Sequence, residues 1–123
     1  MIKLFISFVL LTGIIKNDNV PVKYEEGIAS WYGPGFHGKL TASGVVYNQH
    51  LMTAAHKTLP MGTVVKVTNL ENGITVEVCI NDRGPYSKGR IIDLSSKAAS
   101  LLNMKHKGTA KVRIEYMGSE DVD

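Results

Sequence analysis

Asn81-Asp82-Arg83-Gly84-Pro85-Tyr86 sets an acid beside a base on a Gly-Pro turn. The turn follows an alternating run in which Ile74, Val76, Val78 and Ile80 share one face, and Thr75, Glu77 and Cys79 the other. Such alternation marks a half-buried strand. A strand feeding a stiff turn can hold a carboxylate in fixed geometry at a cleft, where it can act as general acid or base. The same Asp82–Arg83 pair can instead do no more than stabilise the turn, and the local residues leave both readings open. His56, after two alanines, is either a second functional group or a structural hydrogen-bonder. Asp93, in Ile91-Ile92-Asp93-Leu94-Ser95, is a second candidate acid or a cap for a helix starting near Ser95. Trp31, Tyr32 and Tyr86 offer flat faces to a ligand, and alternation predicts that one of Trp31 and Tyr32 is core while the other faces outward. His37, His50 and His106 are not at ligand spacing, and with 1 cysteine the sequence suggests neither a metal site nor a cofactor.

These residues need strands to position them. Gly27–Tyr32 reads as a first strand, ended by Gly33-Pro34-Gly35. Residues 36–61 have weak periodicity and many turn formers, so a loop is expected, with a short helical turn near Ala54–His56. Residues 62–69 alternate as a strand, and Asn72-Gly73 joins them to 74–80 as a hairpin, because that pair tolerates positive φ. Residues 90–94 form a short apolar strand, and 110–116 alternate as the last one. Ser95 and Ser96 cap a helix over about 95–104. The fold class expected is mainly β, a small barrel with one inserted helix.

The chain as a whole bounds the function. Its 12 glycines in 123 residues imply many tight turns. The 14 basic and 11 acidic residues give +3, which favours an anionic partner. The basic residues are scattered, so no nucleic-acid partner is expected. Leu4–Ile15 is an apolar run flanked by Lys3 and Lys16, too short for a spanning helix and suited to a secretory signal. Residues 1–16 are therefore read as a leader or anchor, 17–26 as a linker, 27–117 as the domain and 118–123 as a tail. Export to the periplasm or cell envelope follows, with membrane attachment through the apolar run if it stays uncleaved. Leu10-Leu11-Thr12-Gly13 is followed by Ile14 and not cysteine, so a lipid anchor is not expected. With Cys79 alone, no intrachain disulfide can form.

Five blocks occur in order: Gly27-Ile-Ala-Ser-Trp-Tyr-Gly33, Thr53-Ala-Ala-His-Lys-Thr-Leu-Pro60, Val67-Thr-Asn69, Ile80-Asn-Asp-Arg-Gly-Pro85 and Gly89-Arg-Ile-Ile-Asp-Leu-Ser95. Over about residues 27–116 the chain resembles the rare lipoprotein A (RlpA-like) family. The resemblance implies a six-stranded double-psi β-barrel, related in fold to expansins. It also implies an endolytic lytic transglycosylase that cuts peptidoglycan glycan strands lacking stem peptides and leaves a 1,6-anhydro sugar. A monomer is expected. Asp82 matches the family's proposed catalytic aspartate, and His56 its groove histidine, which would bond Asp82 or substrate. Asp93 aligns loosely with the active aspartate of expansin-like relatives. Arg83 is expected to turn away from Asp82, toward Asp93 or a lactyl carboxylate of the substrate. Together with Tyr86, Trp31 and Tyr32 it would bind the glycan. Relatives usually read Thr-Ala-(Asn/Ser)-Gly-Glu where this chain has Thr41-Ala42-Ser43-Gly44-Val45, so a carboxyl group facing the aspartate is replaced by an alkyl side chain. That departure supports an alternative, a non-catalytic glycan-binding or wall-loosening module of the expansin kind.

Overall fold

The computed structural model describes residues 24–119; the expected leader and most of the linker lie outside the described residues. Six strands, β1 (Tyr24–Trp31), β2 (Thr53–His56), β3 (Thr63–Asn69), β4 (Thr75–Asp82), β5 (Arg90–Leu94) and β6 (Ala110–Ser119), close into a barrel in the order β1-β5-β2-β4-β3-β6. One helix, α1 (Ser96–Leu101), lies between β5 and β6. The expectation of a mainly β, six-stranded barrel with one short helix is borne out. The strand pairs β1–β5 and β2–β4 are parallel, and the other four pairs are antiparallel. Parallel neighbours cannot be joined by a tight hairpin, and neither parallel pair is consecutive in the chain: β2, β3 and β4 lie between β1 and β5, and β3 lies between β2 and β4.

Alternation fills the barrel. Val65 and Val67 of β3, Val78 and Ile80 of β4, Ile92 and Leu94 of β5, and Val112 and Ile114 of β6 are all buried. The β3–β4 hairpin turns at Asn72-Gly73, with Gly73 at φ +79° and its N–H on the Asn69 carbonyl at 2.7 Å. Ala98 and Ala99 of α1, with Leu102 and Met104 beyond it, add to the same core. The helix is shorter than the expected 95–104. Its cap is Ser95, whose Oγ accepts from the Ala98 N–H at 3.1 Å, so the capping reading of Asp93 does not hold.

One element departs from expectation in kind. The stretch read as a helical turn, Ala54–His56, is strand β2, inserted between β4 and β5. Ala54, Ala55 and His56 are all buried, so the strand shows no alternation of apolar and polar residues. The first strand also starts three residues earlier than Gly27, because Tyr24, Glu25 and Glu26 pair with Glu115, Ile114 and Arg113 of β6.

Candidate active site

Strand register places the chemistry. Asp82 pairs with Ala55, Ala55 with Asp93, and Asp93 with Ser30, a row across β4, β2, β5 and β1. The two aspartates flank one strand, which separates their backbones by about two strand spacings, roughly 10 Å. Ala55 between them adds only a methyl group. Above this row opens a cleft of about 690 Å³, lined by both aspartates and by residues of the loops after β1 and β4.

Three donors converge on Asp82. Its Oδ1 accepts from the Ala42 N–H at 2.8 Å and from the Arg83 N–H at 2.9 Å. Its Oδ2 accepts from the Tyr32 hydroxyl. Two backbone amides therefore fix one oxygen, and the other is left to the Tyr32 hydroxyl. Tyr32 is itself held by the Leu94 carbonyl on its N–H at 2.9 Å and by stacking on Tyr47, with ring centroids 4.4 Å apart. Burial, the bond to Asp82 and the nearby charges of Asp82 and Asp93 push the Tyr32 phenol well above the ordinary tyrosine range. It stays neutral and remains a donor. Burial also raises Tyr47, whose hydroxyl accepts from the Ser96 N–H at 3.1 Å.

Asp93 accepts from the Ser30 hydroxyl and lies in the cleft. Trp31, Tyr32 and Tyr86 line it as well. Trp31 and Tyr32 are both half-buried; Trp31 also packs against the core, and Tyr32 follows the end of β1, where strict alternation no longer governs it. Tyr86 is 85 % exposed on the rim, beside Gly84, whose φ of +124° is open to glycine alone. Arg83 turns its guanidinium away from the Asp82 carboxylate, and Nη1 donates to the His56 carbonyl at 3.1 Å. Among the described residues it forms no ion pair with Asp93.

His56 is not bonded to Asp82. Its Nδ1 accepts from the Thr58 and Leu59 N–H groups at 3.1 and 3.0 Å, and Nε2 meets Glu25 Oε1 at 3.0 Å. With Nδ1 an acceptor, the proton is assigned to Nε2, which donates to Glu25. The ring is buried and does not line the cleft, and its link to the site runs through its own carbonyl and Arg83.

The loop carrying Val45 contributes by its backbone. The Val45 carbonyl accepts from the Thr41 N–H at 2.8 Å and from Thr41 Oγ1 at 2.7 Å, which shapes the turn that aims the Ala42 N–H at Asp82. The Val45 side chain is half exposed. Neither the Ala42 amide nor Tyr32 as a donor was visible in the spacing of residues. Among the described residues no cluster of His, Cys, Asp or Glu has the makings of a metal site.

A family model described as lytic transglycolase matches residues 24–114. The chain belongs to the lytic transglycolase family. It is similar to the endolytic peptidoglycan transglycosylase RlpA of Campylobacter jejuni, 62 % identical over 93 residues that make up 76 % of this chain and 34 % of that protein. The protein of the same name from Rickettsia bellii is 54 % identical over 89 % of this chain and 50 % of its own length. The chain thus spans a third to a half of these curated relatives. Among solved structures, a Streptomyces papain inhibitor aligns with TM-score 0.62 at 22 % identity, over 80 % of this chain and 99 % of its own. A Clavibacter michiganensis expansin mutant in complex with cellohexaose aligns with TM-score 0.61 at 21 % identity, over 77 % of this chain and 50 % of its own. At that identity the two neighbours speak for the double-psi barrel fold alone.

Proposed function

We propose that this family member is a lytic transglycosylase that cleaves peptide-free peptidoglycan glycan strands and leaves a 1,6-anhydro muramic acid end. The observation that carries the reading is Asp82, anchored through Oδ1 by two amides with Oδ2 at the cleft. In its acid form Asp82 gives a proton to the glycosidic oxygen as the C1–O bond breaks. The resulting carboxylate then takes the proton of the same sugar's C6 hydroxyl while O6 bonds to C1. No water is consumed, and Asp82 ends as it began. The Tyr32 hydroxyl steadies the carboxylate between the two transfers, and Asp93, roughly two strand spacings away, is the second candidate acid. His56 acts as a positioning residue through Arg83, and Trp31, Tyr32, Tyr86 and Arg83 contact the glycan. A wall polymer as substrate carries with it export to the periplasm or cell envelope, for which the Leu4–Ile15 run is the support.

Digestion of peptide-stripped glycan strands, read by mass spectrometry, tests this. Anhydro-ended fragments from the wild type, reduced by about 10²-fold or more in Asp82→Asn, are the expected result. An unchanged rate in Asp82→Asn removes the assignment. One observation favours a second reading, a non-catalytic glycan-binding or wall-loosening module: Val45 supplies no carboxyl at the position where the family resemblance implies one. Binding without products from the wild type, with products appearing in Val45→Glu, would establish it.

A further inference from the structure

Beyond the cleft, a second groove of about 280 Å³ runs over α1, and its lining includes Gln49, His50, Ser96, Lys97, Ser100 and Lys105. It holds two ammonium groups and an imidazole but no acidic residue. Elsewhere on the barrel Lys66 pairs with Glu115, Lys107 with Glu71 and Arg113 with Glu26. Among the described residues neither Lys97 nor Lys105 has a carboxylate within ion-pair distance. Lys105 Nζ lies 5.0 Å from the centroid of the Trp31 ring, and Trp31 lines the catalytic cleft. The Trp31–Lys105 pair is therefore a wall common to both depressions. A chain seated at Asp82 and crossing the Trp31 ring would meet ammonium groups that have no carboxylate partner.

We propose that this groove is an anion subsite, in which Lys97 and Lys105 hold a carboxylate of the glycan strand at a distance from the bond being cut. This rests on the glycan reading of the Asp82 cleft and adds to it a chemical requirement on the substrate. Ammonium groups without partners bind carboxylates through charge-assisted hydrogen bonds. Gln49, Ser96 and Ser100 supply neutral groups for sugar hydroxyls. Two carboxylates have this chemistry: the lactyl group of a peptide-free muramic acid and the terminus of a stem peptide.

The chain contains a single tryptophan, Trp31, which lines the cleft and carries Lys105 over its ring, so its fluorescence reports a strand seated in the cleft. The full chain is titrated with peptide-free strands, with the same strands methyl-esterified, with strands bearing stem peptides, and with chitooligosaccharide of equal length. Peptide-free strands should bind about tenfold more tightly than esterified ones or chitooligosaccharide. The Lys97→Met/Lys105→Met double variant should lose that preference, and Lys97→Arg/Lys105→Arg should restore it. A preference for peptide-bearing strands that the double variant abolishes assigns the subsite to the peptide terminus. Equal affinity of wild type for charged and esterified strands overturns the subsite, as does a double variant that melts like wild type and keeps the preference. Those outcomes leave the transglycosylase reading intact. That reading fails separately, by the absence of anhydro products from strands that do bind.

Discussion

At the scale of single residues, the site is a carboxylate with its donors already in place. Tyr32 is the donor that can be removed with least disturbance, because Tyr32→Phe keeps the stack on Tyr47 and deletes only the hydroxyl on Asp82. We expect kcat to fall about 10- to 100-fold with KM little changed; an unaltered kcat would deny Tyr32 any part in holding Asp82. The same variant isolates a pH effect. The folded chain raises the Tyr32 phenol above its unfolded value, so it keeps that proton more tightly than the unfolded chain does. This contribution is whole below pH about 10 and is lost as pH climbs above it. Denaturant midpoints should therefore decline more steeply above pH 10 in wild type than in Tyr32→Phe, and parallel declines would contradict the shift. His56 makes a different prediction. His56→Ala strips partners from Glu25, Thr58 and Leu59 and should cost about 1–3 kcal/mol of stability. If its role is to position, kcat falls while the pH–rate profile keeps its shape; loss of one limb of that profile would make it a proton carrier.

At the scale of elements, register does what no single segment could. Ser30, Asp93, Ala55 and Asp82 come from four strands and form one row only because β2 is threaded between β4 and β5. The alternating strands and the Asn72-Gly73 hairpin were legible, since one face of each meets the core and the other meets solvent. Strand β2 was not, because a strand covered on both sides loses the contrast that marks it. Asp82 was legible from its place at a strand end before a Gly-Pro turn. Its donors were not, since Tyr32 lies 50 positions away and Ala42 lies 40 away. The likeness to a family led attention to the side chain at 45, whereas the turn's contribution to Asp82 is an amide. Close packing between strands has its own test at Gly27. A Cβ there would come within 2.6 Å of Ile91 Cγ2 across the β1–β5 seam. Gly27→Ala should destabilise by about 1–3 kcal/mol, read as a lower denaturant midpoint with the m-value unchanged; a neutral result would show that Ile91 moves aside freely.

At the scale of the molecule, the barrel must hold itself by its interior, because a single cysteine precludes any intrachain disulfide. Closure joins every strand to two neighbours, so a defect inside any one of them is felt around the ring. Ile80 is the sharpest probe, being fully buried on β4 and two residues ahead of Asp82. Ile80→Ala removes its transfer energy and leaves a cavity, a loss of about 2–5 kcal/mol. For a domain of this size each kcal/mol moves Tm by about 4–8 °C, so melting should fall by 8 °C or more in one cooperative step. Val45→Ala, half exposed on the loop between β1 and β2, should stay within about 0.5 kcal/mol of wild type. Adding reductant should move neither curve. Two separate melting steps in Ile80→Ala would mean that the β4 side unfolds apart from the rest. The row of aspartates would then rest on two structural units, and a stable helix-side core could outlast the site it was built to carry.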